Sequence, residues 1–424
     1  MRFIADFHVH SKYSRATSHD MSPDVIARWA KLKGISLIGT GDFTHPFYFD
    51  ELRLKLVETG NGLVMLKGED GGVSFMLTAE VSNIFSQDGK LRKIHTLIFA
   101  PDFDTVQKIN NALGKRGKLS QDGRPIFGFP VKDLMKIILD VSADCLLIPA
   151  HAWTPWFSLF GANSGFDSLE ECFGEERVNI YAIETGLSSD PEMNWRLSAL
   201  DRVTLISNSD AHSPNKIGRE ANLFDCDMNY LDIIDAIRKK DRNKLLATIE
   251  FFPEEGKYHY NGHRGCGILM SPKETKIKGF LCPVCKKKIT IGVMQRVEEL
   301  ADRDEGFVPE GTIPSIHIIP LEEIIADAFS VGTGAVSVRK EYDRMLENGG
   351  SEFSILIDNS IEDLMKFSHP KIVEGIKKMR EGKVCIIPGY DGVYGKASLF
   401  EEKALKETKG IKETPAIAGQ MDLF

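Results

Sequence analysis

The chain has 424 residues, 42% of them apolar and 27% charged, and a net charge of −8. At ~100–200 residues per domain this length predicts two to four domains, and the balance of apolar and charged residues excludes global disorder. No apolar run reaches the ~18 residues of a membrane span, and the opening MRFIADFHVH has no signal-peptide core. Seven cysteines, few for this length, suit a reducing cytoplasm. The net acidity does not predict a nucleic-acid binder, which is a matter for local basic patches.

Residues 1–10 read as a strand. PDVIARWAKLKG (23–34) carries apolar residues at helical spacing, with Gly34 as its stop. SLIGTGDF (36–43), VSFMLTAEVSNIF (73–85) and KIHTLIFAP (93–101) read as buried strands. CLLIPAHAW (145–153), NIYAIETG (179–186) and VTLISNSDAH (203–212) repeat one pattern, an apolar run closed by polar residues. Helical patterns fall between some of them, at 130–143 and 190–202. This alternation predicts an α/β fold with a parallel sheet or barrel, where chemistry collects at strand C-terminal ends. His8, Asp42, Glu80, His151 and Asp210 all stand at such ends and are expected to converge.

His8 and His10 form an H-x-H pair, and alternate residues of a strand share one face. Two imidazoles on one face are what a shared metal requires, although a polar strand face has the same pattern. Asp210 and His212 repeat a D-x-H spacing at another strand end. Glu184 also ends a strand, either as a support for a ligand or as a plain exposed carboxylate. Imidazole with carboxylate suits zinc, manganese or iron.

Between about 254 and 290 the texture changes to Lys, Gly, His and Cys. His263 and Cys266 precede Cys282-Pro-Val-Cys285, two tight pairs that read as a structural zinc site, with His259 as a substitute for His263. Such a module has too little core to fold without metal. Lys286, Lys287 and Lys288 beside it are either a solvated face or a phosphate contact. Helical patterns follow at 293–303, 322–329, 338–349, 361–367 and 370–382, and the tail reads as a flexible linker ending in a short peptide.

The opening D-F-H-V-H-S-K-Y-S resembles that of polymerase-and-histidinol-phosphatase (PHP) domains, and later motifs recur in order across residues 1–250. The resemblance implies a distorted (β/α)7 barrel holding two or three divalent metals (Zn, Mn or Mg). It implies His8, His10, Asp42, Glu80, His95, His151, Asp210 and His212 as the metal and catalytic set. Asp42 departs from the usual D-H pair, with His45 as the nearby alternative. Asp20 or His19 would fill the position after the first motif. The later motifs Y-N-G-H-R-G-C, C-P-V-C and P-G-Y-D-G-V-Y-G-K extend the resemblance to the endonuclease Q family over nearly the full length.

That resemblance implies a PHP catalytic domain (1–250), a zinc-binding module (251–292), a mainly helical C-terminal domain (293–405) and a tail (406–424). It implies a DNA-repair endonuclease that cuts 5′ of deaminated bases (hypoxanthine, uracil, xanthine) and of abasic sites, in the cytoplasm at the nucleoid. The competing expectation is a histidinol-phosphatase-like phosphoesterase acting on a small metabolite. Phe43, Trp153, Trp156, Phe157 and Phe160 are stacking candidates for a base as a group, and core packing is the stronger reading of any single ring. Lys115, Arg116 and Lys118 are either backbone-tracking or an exposed loop. Gln420, Leu423 and Phe424 in the closing QMDLF resemble a sliding-clamp peptide, which makes the clamp an expected partner.

Overall fold

The computed structural model describes residues 1–69 and 71–400. Two compact units form: Met1–Lys31, Ile35–Thr248 and Arg296–Pro314 make the first, and Leu32–Gly34, Ile249–Gln295 and the chain from Ser315 make the second.

The first unit is built on a large mixed sheet. Its strands are β1 (Arg2–Asp6), β2 (Leu37–Gly39), β3 (Leu56–Glu58), β4 (Val64–Leu66), β5 (Ser74–Gln87) and β6 (Lys90–Ala100). They continue with β7 (Ile126–Phe127), β8 (Leu146–Pro149), β9 (Ala182–Glu184), β10 (Thr204–Ile206), β11 (Ala221–Asp225) and β12 (Leu245–Glu250). The order runs β12-β11-β1-β2-β5-β4-β3, with β6 on β5, β8 on β6 and β7 on β5. β1, β2 and β5 are parallel, while β11 runs antiparallel to β1 and β6 antiparallel to β5.

The sheet is therefore mixed where the alternation of motifs predicts a parallel one. The reason is local. Asp88 and Gly89, between Gln87 and Lys90, both have positive φ, 52° and 71°. An Asp-Gly pair with both residues left-handed is the two-residue turn that matches strand twist, so β5 folds straight back as β6. Glu80 consequently lies within a long strand and does not end one.

β9 and β10 pair in parallel as a separate ribbon. A few hydrogen bonds tie that ribbon to its neighbours: Ala152 N donates to Glu184 O (2.9 Å), His10 N to Ala211 O (3.0 Å) and Ala211 N to His8 O (3.3 Å). Strand ends that carry the polar residues thus face one another. Beneath them Phe7 meets Phe99 and Phe224 edge-on, at 5.5 and 6.0 Å between ring centres, and Leu97, Ile148 and Ile206 complete this buried layer.

The helical pattern at 190–202 forms only Pro191–Asn194 and one tight turn at Ser198–Leu200. Asn194 turns its amide back to Asp190 O (2.8 Å), and Asp302 captures Ser198 N (2.8 Å). Those side-chain bonds compete with helix propagation.

In the second unit a hairpin joins Asn261–His263 to Ile268–Met270, and Met270, Cys282 and Ile289 form a small apolar cluster. Helices follow over Leu321–Phe329, Val336–Gly349, Ile361–Phe367 and Pro370–Arg380. Among the described residues no helix is long and apolar enough to cross a membrane.

Candidate metal centre

β1 runs straight into Phe7–His10. The pleat sends His8 and His10 to one side, with ring centres 5.3 Å apart. Asp210 comes from the turn after β10, and its carboxylate completes a group with the two imidazoles. β5, β6 and the turn after β8 bring Glu80, His95 and His151 into a second group. In each group the ligand atoms lie within 4.8 Å of one another.

Glu80 joins the two groups. Its Oε1 lies 2.8 Å from His95 Nδ1 and 3.1 Å from His151 Nε2. Its Oε2 lies 3.3 Å from His10 Nε2 and 3.7 Å from His8 Nε2. One carboxylate thus presents an oxygen to each side. His8 Nε2, His10 Nε2 and Asp210 Oδ1 are buried and, among the described residues, make no well-aligned hydrogen bond, although His10 Nε2 and Asp210 Oδ1 lie 3.1 Å apart. Buried polar atoms are normally satisfied, so three unsatisfied ones facing a common point fit a cation. The donor set of imidazole and carboxylate fits a borderline divalent ion.

Groups behind these atoms fix their aim. Glu184 is fully buried and accepts from His8 Nδ1 (3.0 Å), His151 N (2.8 Å) and Asn208 Nδ2 (2.9 Å). Asp42 accepts from His10 Nδ1 (3.0 Å) through one oxygen and from Ser11 N (2.6 Å) and Ser14 Oγ (2.9 Å) through the other. With both oxygens engaged, Asp42 stands behind His10 and outside the converging atoms, which corrects its reading as a ligand. Three of these residues sit in left-handed backbone: Asp42 (φ 44°), His151 (φ 31°) and Asp210 (φ 46°). Each such residue costs on the order of 1–3 kcal/mol, a strain that concentrates at functional sites.

The charges are strongly coupled. Burial opposes ionisation of Glu80, yet His95, Arg124 and His8 outweigh it and hold the carboxylate well below its usual range. Asp210 is held low in the same way by His8 and His10. Burial would likewise neutralise His8 and His10, but Glu184, Asp210 and Glu80 around the first and Asp42, Asp210 and Glu80 around the second push both well above the ordinary histidine value. His95 goes the other way: burial, with Arg124 and His151 nearby, brings it down to about 4.

The remaining expected residues divide. His212 stacks obliquely 4.5 Å from His10, with Nδ1 2.9 Å from Asp210 O, beside the first group and not within it. His45 stacks on Tyr13 at 4.5 Å. Asp20 and His19 are exposed, and neither belongs to a ligand group, so the assignment of Asp20 is corrected. Phe43 and Trp153 are buried, Trp153 donating to Asn194 Oδ1 (2.8 Å). They belong to the core, which corrects their reading as base contacts. Trp156, Lys115, Arg116 and Lys118 are exposed. Phe157 lies against the His95 ring at 4.7 Å. Sequence reasoning missed Arg124, whose Nη1 lies 2.9 Å from Glu80 Oε2, and Asn208. The D-G-R stretch at 122–124 carries no recognised pattern, so only the three-dimensional arrangement exposes it.

In the second unit His263, Cys266, Cys282 and Cys285 converge within 4.8 Å, His263 Nδ1 standing 3.6 Å from Cys285 Sγ. Backbone bonds Cys282 N to Lys287 O (2.8 Å) and Lys286 N to Cys282 O (2.9 Å) close the knuckle. His259 is not in this group. Gln420, Leu423 and Phe424 lie outside the described residues.

The chain is similar to the lesion-specific endonuclease PfuEndoQ from Pyrococcus furiosus, at TM-score 0.85 and 31% identity over 98% of this chain and 100% of that one. It is similar to endonuclease Q in complex with a 27-mer duplex substrate carrying an abasic lesion at the active site, at TM-score 0.82 and 32% identity over 95% and 98%. An uncharacterised Methanocaldococcus jannaschii protein, MJ0043, is 34% identical over 60% of this chain, and the chain spans about a third of that relative (32%). The profile of the MJ0043 C-terminal domain matches residues 320–383.

Fold, site and likeness together define a hydrolase of phosphodiester bonds. Within that class, the chain belongs to the endonuclease Q family.

Proposed function

We propose that this protein is a metal-dependent DNA-repair endonuclease that hydrolyses the phosphodiester 5′ of deaminated bases and abasic sites. The observation that carries the reading is Glu80, one carboxylate shared by two ligand groups, the first of which holds three buried, unsatisfied ligand atoms. The family's lesion-bound duplex complex supports damaged DNA as the substrate. We read the strand ring around the site as a distorted seven-stranded barrel, with a separate zinc module and a helical region after it.

His8, His10 and Asp210 would hold one cation and Glu80, His95 and His151 another. Divalent ions there supply Lewis-acid activation of water and of phosphate oxygens. The chain's own contribution is positioning. Glu184 and Asp42 hold His8 and His10 through Nδ1, leaving each Nε2 aimed into the site. Asn208 fixes Glu184, and the buried surroundings exclude bulk water from all four groups. The zinc reading assigns His263, Cys266, Cys282 and Cys285 to one structural ion. The C-terminal QMDLF extends the reading to a sliding clamp.

A nicking assay tests the proposal. Labelled duplexes with one deoxyinosine, deoxyuridine or abasic site are incubated with the protein and Mg²⁺, Mn²⁺ or Zn²⁺. A single cut on the 5′ side, absent from a His8→Ala, Asp210→Ala double variant, is expected. No cut on any lesion, with p-nitrophenyl phosphate still hydrolysed, would overturn it in favour of a small-molecule phosphatase.

A further inference from the structure

The loop before β7 delivers Arg124 to the metal centre, and four backbone groups around it are tied down. Gly123 N donates to Tyr13 O (3.0 Å), and Gly123 O accepts from Thr44 Oγ1 (3.2 Å). Pro125 O accepts from Ser82 N (2.9 Å), and Arg124 N donates to Asp122 Oδ1 (3.1 Å). Asp122 is itself held by Arg15 Nε at 3.2 Å. At Gly123 a Cβ would collide with Ser14 Oγ and the Asp42 carboxylate, so only glycine lets the loop lie this close to the group that orients His10.

The guanidinium so positioned makes one hydrogen bond among the described residues, to Glu80 Oε2 at 2.9 Å. That is the oxygen that also faces His8 and His10. The side chain is 23% exposed, so its other donors open toward solvent at the mouth of the site.

A fixed positive charge beside a cation-binding carboxylate works against the cation. Were holding metal the only task of this corner, a neutral donor would orient Glu80 at lower electrostatic cost. A planar fork of donors with most of its capacity unused, at the edge of a site for phosphoester chemistry, matches the geometry of phosphate oxygens.

We infer that Arg124 is a phosphate-binding residue of this site, contacting the non-bridging oxygens of the scissile phosphodiester while Glu80 faces the cations. The identity of that anion as part of DNA rests on the function proposed above. The role of Arg124 as an anion clamp does not.

The test compares Arg124→Gln and Arg124→Lys with the unsubstituted full chain. At saturating Mn²⁺, inorganic phosphate binding is measured by calorimetry. Mn²⁺ affinity is measured separately, and nicking of a duplex with one abasic site is followed under single-turnover conditions. Arg124→Gln is expected to weaken phosphate at least about tenfold, with part of it restored by Arg124→Lys. Mn²⁺ affinity should be unchanged or tighter, because a repelling charge has gone. The nicking rate should fall about 10²–10³-fold, the range for losing one preorganised donor to transition-state charge.

Phosphate affinity unchanged in Arg124→Gln at saturating Mn²⁺ would overturn the inference, and a loss of Mn²⁺ affinity alongside would make Arg124 only a positioning residue for Glu80. If Arg124→Gln fails to fold, Arg124→Lys decides on the same readouts, because a point charge without the planar fork still weakens phosphate several-fold. If the unsubstituted protein nicks no lesion while phosphate binding depends on Arg124, the DNA reading falls and the anion clamp stands.

Discussion

Glu184→Gln is the substitution whose outcome the geometry constrains most tightly. Glu184 accepts from three donors: His8 Nδ1 at both oxygens, His151 N at Oε2 and Asn208 Nδ2 at Oε1. Glutamine keeps the size but turns one oxygen into an NH₂. Whichever way the amide is placed, that NH₂ faces either His151 N–H or the Asn208 amide, a clash of two donors. Because His8 Nδ1 lies 3.0 Å from both positions, the variant lets it accept from the new amide in place of donating to the remaining oxygen. Its proton then moves to Nε2, the atom that points at Asp210 and Glu80, and a protonated Nε2 cannot bind a cation. Losing such a supporting partner typically costs 10–100-fold in metal affinity, about 1.4–2.7 kcal/mol. The assay is a calorimetric Mn²⁺ titration of both proteins, with thermal melting of the metal-free forms to confirm that the variant is folded. A folded Glu184→Gln protein whose Mn²⁺ affinity stays within twofold of the original would refute the assignment of Glu184 as the group that orients His8.

Two further outcomes follow from the charge pattern and the cysteine cluster. His8 and His10 are pushed above the ordinary histidine value, since their carboxylate neighbours outweigh burial, so each holds its proton to higher pH than a free histidine in the metal-free protein. A cation must displace those protons, so affinity should rise with pH between 6 and 8, by up to about tenfold per unit for each proton released. Calorimetry in buffers of different ionisation enthalpy counts the protons, and an affinity independent of pH would contradict the protonated state. For the second unit, a strong chelator should expose Cys266, Cys282 and Cys285 together to iodoacetamide, read by mass spectrometry, although Cys282 is buried and Cys285 exposed at the outset. Alkylation of Cys285 at the same rate with and without chelator would remove the zinc assignment.

His8, His10 and Asp210 were legible because strand periodicity sets which side chains share a face and H-x-H and D-x-H are local patterns, whereas His95 was reached only through the family resemblance. What lay behind them was not legible. Asp42 stands at a strand end as the ligands do, and only the bonds from Ser11 and Ser14 reveal that its oxygens are already engaged. Arg124 comes from a loop with no periodicity, aimed by contacts from Tyr13, Thr44 and Ser82 that are distant in sequence. The antiparallel turn at Asp88-Gly89 carried a sequence signal that the stronger expectation of parallel alternation overrode. The helix expected at 190–202 failed for the opposite reason, since its apolar spacing was sound, Asp190 capped its start, and side-chain bonds from Asn194 and Asp302 then outcompeted the backbone.

The first unit does not end where its last catalytic motif does. Residues Arg296–Pro314 return to it, with Arg296 donating to Phe160 O and Phe166 O (both 3.1 Å) and Arg303 pairing with Asp201 (2.7 Å). A nascent chain released to residue 250 therefore holds both converging ligand groups of the candidate site but not the segment that locks the unit. At ribosomal rates of ~5–20 residues per second the missing piece arrives roughly 3–13 s later. The cysteine knuckle has emerged by then, so His263, Cys266, Cys282 and Cys285 are all available before the first unit is complete. A gene truncated at that boundary would encode the chemistry without its lock.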